Sequence, residues 1–127
     1  EMIKSKSIRH AGVPVSDVRK ARRFYGDILG FEEIERPNIK GIPGIWYEVD
    51  GTQVHIIGQR NKMAGKDIPG IGPHIAVQVE DLEEAKRVLK KRRVKFQEFA
   101  PPPEMELPPV IFVRDPDGNV VELRTEA

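Results

Sequence analysis

Residues 10–31 read HAGVPVSDVRKARRFYGDILGF, and residues 74–85 read HIAVQVEDLEEA. Laid on one another from His10 and His74, the two stretches agree at Val13 and Val77, Val15 and Val79, Asp17 and Asp81, and Ala21 and Ala85. Arg23 then meets Arg87. Further on, Asp50-Gly51 answers Asp117-Gly118, and Val54 answers Val121. Self-similarity of this kind marks a duplicated unit. The first copy runs from about Ser7 to Gly58 and the second from about Gly72 to Arg124, with residues 58–72 as a linker inside one domain, 1–127.

Each copy reads as β-α-β-β-β. Ser7 to Val15 alternates, with Ala11, Val13 and Val15 on one face and Ile8, His10 and Gly12 on the other, as a strand requires. Ser16-Asp17 offers a helix N-cap, and Val18, Ala21, Phe24, Tyr25 and Ile28 form one helical stripe closed by Gly30. Strands are expected at Phe31 to Arg36, Ile45 to Val49 and Thr52 to Ile57, the last two joined by an Asp50-Gly51 hairpin turn. In the second copy a strand at His74 to Val79 precedes a helix capped by Asp81, with Glu84 as its capping-box partner and Leu82, Ala85, Val88 and Leu89 as its buried stripe. Strands follow at Val94 to Phe99, Val110 to Arg114 and Asn119 to Arg124. The proline-rich stretch Ala100 to Pro109 is expected as a stiff surface loop.

Composition narrows the function classes. The chain has 127 residues, 39% hydrophobic and 32% charged, which describes a soluble globular domain. It has no run near the ~20 apolar residues of a membrane span, and its start has no signal-peptide core. Cysteine is absent, which excludes disulfides, thiolate metal sites and cysteine nucleophiles and suits a cytoplasmic protein. Lys and Arg number 21 against 20 for Asp and Glu, so net charge makes no case for nucleic acid. The basic run Lys86, Arg87, Lys90, Lys91, Arg92 and Arg93 reads as a solvated helix face that suits the helix dipole.

Strand parity decides what the three histidines do. Side chains alternate across a strand, so His10, His55 and His74 all point away from the helix-packed face, as does Glu122. His55 and Glu122 occupy the same repeat position, four residues after a hairpin glycine. Singly, each reads as an ordinary hydrogen-bonded or solvated strand residue. Jointly, they fill two repeat positions twice. If the copies pack about a pseudo-twofold axis, three imidazoles and one carboxylate converge, a set suited to one divalent metal such as Zn, Ni, Co, Fe or Mn.

With DPDGNVVEL from Asp115, these stretches resemble the vicinal oxygen chelate superfamily, which includes glyoxalase I, methylmalonyl-CoA epimerase, extradiol dioxygenases and the fosfomycin and bleomycin resistance proteins. The resemblance implies an α+β fold in which two tandem β-α-β-β-β modules form a curved mixed sheet around a central cleft. It implies metal ligands at His10, His55, His74 and Glu122, and a homodimer. Glyoxalase I carries Glu or Gln where His55 stands, and the epimerase is similar to it there with Gln. The implied activity is that of a metal-dependent enzyme acting on a small, anionic substrate with vicinal oxygens, by lyase, isomerase or oxygenase chemistry. Glu122 is the expected general base and His55 the second candidate. The alternative is a non-catalytic protein that sequesters a small molecule or drug in the same cleft. Gln53, Ile57, Gln78, Arg124 and Arg36 are expected to line the pocket, together with Trp46. Trp46 and its neighbour Tyr47 cannot both face it, and which of them does depends on a strand register that spacing leaves open.

Overall fold

A computed structural model describes residues 1–125. The chain divides into two compact units, Glu1–Gln59 and a second that begins at Arg60. Each carries one four-stranded mixed sheet, and neither sheet closes on itself.

The first unit contains β1 (His10–Pro14), β2 (Glu32–Ile34), β3 (Gly44–Val49) and β4 (Thr52–Ile57), in the order β1-β4-β3-β2. β1 runs parallel to β4, and the other pairs are antiparallel. β1 is shorter than the alternation of Ser7 to Val15 predicts, because Ser7–Arg9 stay exposed outside the sheet. β2 likewise stops at Ile34, before Arg36. Asp50 and Gly51 both have positive φ, 47° and 85°, the backbone a two-residue hairpin loop demands.

The helical stretch departs from a regular α-helix. Asp17 caps it by accepting the N–H groups of Arg19 and Lys20, and α1 spans Val18–Ala21. From Arg22 to Ile28 the chain widens into a π-helix, ending with Leu29 N–H on the Phe24 carbonyl. Phe24 and Tyr25 are adjacent, yet both are buried. The wider turn brings neighbouring side chains closer to one face, which is how both rings enter the core beside Phe31 and Tyr47.

The second unit contains β5 (His74–Gln78), α2 (Leu82–Lys91), β6 (Phe96–Phe99), β7 (Val110–Arg114) and β8 (Val120–Arg124), with sheet order β5-β8-β7-β6. Its core is Leu82, Leu89, Ile111, Val113, Val121 and Leu123. Asp81 caps α2 through the Glu84 N–H, but the reciprocal half of the predicted capping box is missing. The Glu84 carboxylate pairs with Arg87 instead, an i,i+3 contact that competes for the same oxygens. The second hairpin also differs from its expected Asp-Gly turn. Its loop is Asp115–Asn119, tied by the Asp115 carboxylate to the backbone N–H of Asp117 and Asn119. Residues 60–73 pack on this hairpin: Arg114 holds Asp67, and the backbone at Gly65 lies against Gly118. Among the described residues no helix is long and apolar enough to cross a membrane.

Candidate metal-binding faces

Register places the predicted side chains. β3 and β4 pair Trp46 with His55, Tyr47 with Val54 and Ile45 with Ile56. Val54, Ile56, Ile45 and Tyr47 are buried in the core, so His55 and Trp46 project from the other face. Tyr47 therefore belongs to the core and Trp46 to the face of His55. His10 stacks on one side of His55, ring centroids 4.0 Å apart at 13°, and Trp46 stacks on the other, 4.0 Å apart at 2°. Gly12, which faces His55 across β1 and β4, has Ile57 packed against its Cα side.

His55 Nε2 lies 2.8 Å from Gln53 Oε1. Burial, the neighbouring His10 and the Arg36 guanidinium all push the His55 pKa below its ordinary value, so the ring is held neutral near pH 7. A neutral imidazole is the form that ligates metals. Arg36 itself donates to the Ile42 carbonyl at 2.8 Å, while its Nε is buried with no partner among the described residues. Its contribution to the His55 face is therefore electrostatic.

In the second unit β8 pairs Glu122 with Ala76 of β5 and with Phe112 of β7. Glu122 is only 8% exposed although it lies opposite the core face. Its two oxygens are divided: Oε2 accepts from Arg124 at 3.1 Å, and Oε1 lies 3.5 Å from His74 Nε2. Arg124, expected as a pocket residue, is thus the clamp of this carboxylate. Gln78 sits beside Arg124 in register and is exposed. Phe112, which no motif in the sequence singles out, meets the His74 ring edge to face at 6.3 Å. It is the counterpart of Trp46, since each pairs across its hairpin with the repeat position held by His55 or Glu122.

The His74–Glu122 pair tests whether a cation suits these residues. His74 Nδ1 lies 2.8 Å from the Gly72 carbonyl, which can only accept, so Nδ1 carries the hydrogen. In the neutral ring Nε2 then presents a lone pair toward a carboxylate oxygen. That lone pair and a carboxylate oxygen stand 3.5 Å apart, too far for a good hydrogen bond, and a positive charge between them, a proton or a metal ion, stabilises the arrangement. Nitrogen and oxygen ligands at about 2.1 Å from one ion stand roughly 3.0–3.4 Å apart, so the pair fits adjacent ligands of a divalent metal. A backbone carbonyl fixing the far ring nitrogen is also the usual support of a metal-bound histidine. Within each unit the described residues bring two such donors together and no third.

Besides Phe112, two residues outside the predicted set matter to this face. Asp67 and Arg114 anchor the segment that carries Gly72, and only the long-range bond of Arg114 to Asp67 reveals it. No local pattern in the sequence signals that pairing.

Comparisons with known proteins agree on the fold. A sequence model of the Glyoxalase/Bleomycin resistance protein/Dioxygenase superfamily matches residues 7–123. Methylmalonyl-CoA epimerase of Bos taurus mitochondria is 28% identical over 126 residues, covering 91% of this chain and 72% of that protein. A glyoxalase family protein from Bacillus anthracis superposes with a TM-score of 0.78 at 26% identity, covering 99% of this chain and 100% of the other. An antibiotic-binding protein from a Streptomyces species shares the fold with a TM-score of 0.73 at 21% identity, over 99% and 100% of the two chains.

Proposed function

Because this chain belongs to the Glyoxalase/Bleomycin resistance protein/Dioxygenase superfamily, we propose that it is a metal-dependent enzyme holding one divalent ion through His10, His55, His74 and Glu122. The substrate is a small anion with two neighbouring oxygens, and the chemistry is that of an epimerase, isomerase, lyase or oxygenase. The observation that supports this reading is the His74–Glu122 pair, an imidazole Nε2 and a carboxylate oxygen 3.5 Å apart, with the far atoms of each group engaged by the Gly72 carbonyl and the Arg124 guanidinium. His10 and His55 stand at the matching repeat positions of the other sheet.

When bound, the metal supplies Lewis acidity that stabilises negative charge developing on a substrate oxygen. The chain's own residues do the rest. His55 is kept neutral by burial and by the positive charge of Arg36, so it offers a lone pair without first losing a proton. Trp46 and His10 hold its ring plane from both sides. Glu122 is the general base, taking a proton on Oε1 while Arg124 keeps Oε2 in place. Three neutral imidazoles, one carboxylate and a divalent ion leave about one positive charge, which favours an anionic substrate.

Trp46 is the chain's single tryptophan and stacks on His55, so its fluorescence reports on that ring. Metal-free protein titrated with Ni(II), Co(II), Zn(II), Mn(II) and Fe(II) should quench Trp46 at one equivalent per chain for at least one ion. Calorimetry should give the same stoichiometry, and the loaded protein should turn over substrates that the stripped protein does not. Absence of uptake for every ion rejects the reading. A second reading, sequestration without chemistry, draws on the fold shared with the Streptomyces antibiotic-binding protein. Ligand affinity unchanged by stripping the metal, with no turnover, selects it.

A further inference from the structure

A pocket of about 550 Å³ opens in the second unit, within the range of small-molecule sites. Phe112 lines it and also touches the His74 ring, so the pocket adjoins the face that carries His74 and Glu122. Its apolar walls are Phe96, Phe112, Val94 and Pro69. Its charged walls are both basic, Lys95 and Arg114, and no acidic side chain lines it. In a chain with 21 basic and 20 acidic residues, that separation is a property of the site and not of the composition.

The two cations are not equivalent. Arg114 is committed, donating to the Asp67 carboxylate at 3.2 Å, the Gly118 carbonyl at 2.7 Å and the Asp67 carbonyl at 2.7 Å. Lys95 has no hydrogen bond or ion pair among the described residues, whereas Lys86 is engaged by Glu83 and Glu98. The charge of Lys95 is therefore available to a ligand, on the strand face it shares with Gln97 and the Phe112 ring, which favours a flat apolar body; Phe96 pairs with Val113 and turns its side chain to the core face. Gln97, across from Phe112 in the β6–β7 pair, adds an amide that can donate or accept.

We propose that this pocket receives the flat apolar body of an anionic ligand whose carboxylate is met by Lys95. It rests on the function proposed above only in taking that ligand to be the substrate, which would be an aromatic or similarly flat organic acid.

The test uses full-length, metal-free protein and two probes of equal shape, 1-naphthaleneacetate and its neutral primary amide, measured by calorimetry and by NMR shifts of Phe112 and Gln97. The acid should bind about fivefold tighter than the amide, as expected for one solvent-accessible ion pair. Lys95→Met keeps the aliphatic stem and should erase the preference while leaving the amide's affinity unchanged. Phe112→Leu should weaken both probes alike. Equal binding of acid and amide overturns the proposal. So does a preference that survives Lys95→Met, absence of binding by both probes, or binding without shifts at Phe112 and Gln97. Metal uptake followed by Trp46 fluorescence keeps the two readings apart. Uptake without acid preference sinks the pocket alone, and acid preference without uptake sinks the metal enzyme alone.

Discussion

In the first unit the fourth-strand position is His55, with parallel rings on either side, His10 and Trp46. In the second unit the same position is Glu122, flanked in register by Ala76 and Phe112 and held by Arg124 and His74. His55 faces away from the buried Val54 and Ile56, and Glu122 faces away from the buried Val121 and Leu123, although Val120 on its own face is buried too. The duplicated strands thus conserve where these side chains point while their chemistry diverges. The aromatic stack keeps a neutral donor neutral, by burial and neighbouring positive charge. The other face holds a carboxylate with one oxygen on Arg124 and the other turned toward His74. The comparison predicts that the first face serves to bind and the second to move a proton.

The largest effect should come from exchanging the acid. Glu122→Gln keeps shape and an oxygen donor, so part of the metal should remain, but turnover should fall by at least ~10² for a lost general base. His55→Gln should keep metal with weaker affinity, since an amide oxygen replaces an imidazole, and should lose less rate. Metal content and rate measured on both variants test this division. Equal rate losses with equal metal content would abolish it.

The hairpins offer a second contrast. Gly51 has φ 85° with open space where a Cβ would go, whereas Gly118 has φ 98° and a Cβ there would meet Gly65 Cα at 2.7 Å. Gly51→Ala should cost about 1 kcal/mol, the expense of a left-handed alanine. Gly118→Ala adds a clash with the backbone of 60–73 and should cost about 3 kcal/mol in urea unfolding. Equal costs would mean that this segment yields without resistance.

Core chemistry differs as well. Tyr47 of the first sheet corresponds to Val113 of the second, each following the residue that pairs with His55 or Glu122, and both are buried. The Tyr47 hydroxyl is buried with no hydrogen-bond partner among the described residues, so Tyr47→Phe should stabilise the protein by about 1 kcal/mol. Burial first, and the nearby Glu33 carboxylate next, push the Tyr47 pKa up to about 12. The neutral phenol is thus the folded form. Its contribution is intact below pH 10 and is lost as pH rises from 10 toward about 12. Tyr47→Phe should remove that part of the alkaline loss.

The β-α-β-β-β order and the faces of His10, His55, His74 and Glu122 were legible because period-two alternation and a repeated Asp-Gly depend on local spacing alone. Trp46 against Tyr47 was not, since the choice hangs on the register that pairs Trp46 with His55. Phe112 needed the length of the second hairpin, which Asp115 extends beyond its Asp-Gly pair. The π-helix at Arg22–Ile28 answers a tertiary demand, two adjacent rings seeking one core. Asp67 and Arg114 are distant in sequence, so only folding brings them together to anchor the segment ending at Gly72.

The smallest expected effect is the acid side of the His55 stack. Burial, then His10, then Arg36 lower the folded-state pKa of His55 below its ordinary 6.5. A lowered histidine pKa means that the unfolded chain binds its proton at higher pH than the folded one. Stability therefore rises with pH through this window. The contribution is fully present above pH 6.5 and is lost as pH falls from 6.5 through the lower, folded-state value. Total stability sums every group that gains or loses a proton, so it cannot isolate this one. The difference between wild type and His55→Gln can, measured on metal-free protein by urea unfolding from pH 7.5 to about 5. That difference should shift toward the variant as pH falls, because glutamine takes up no proton. Trp46 fluorescence should drop over the same pH interval in wild type only, as the stacked ring becomes a cation. A difference that stays flat with pH would mean that His55 titrates alike in both states, and the stack would then lose its role in keeping the ring neutral.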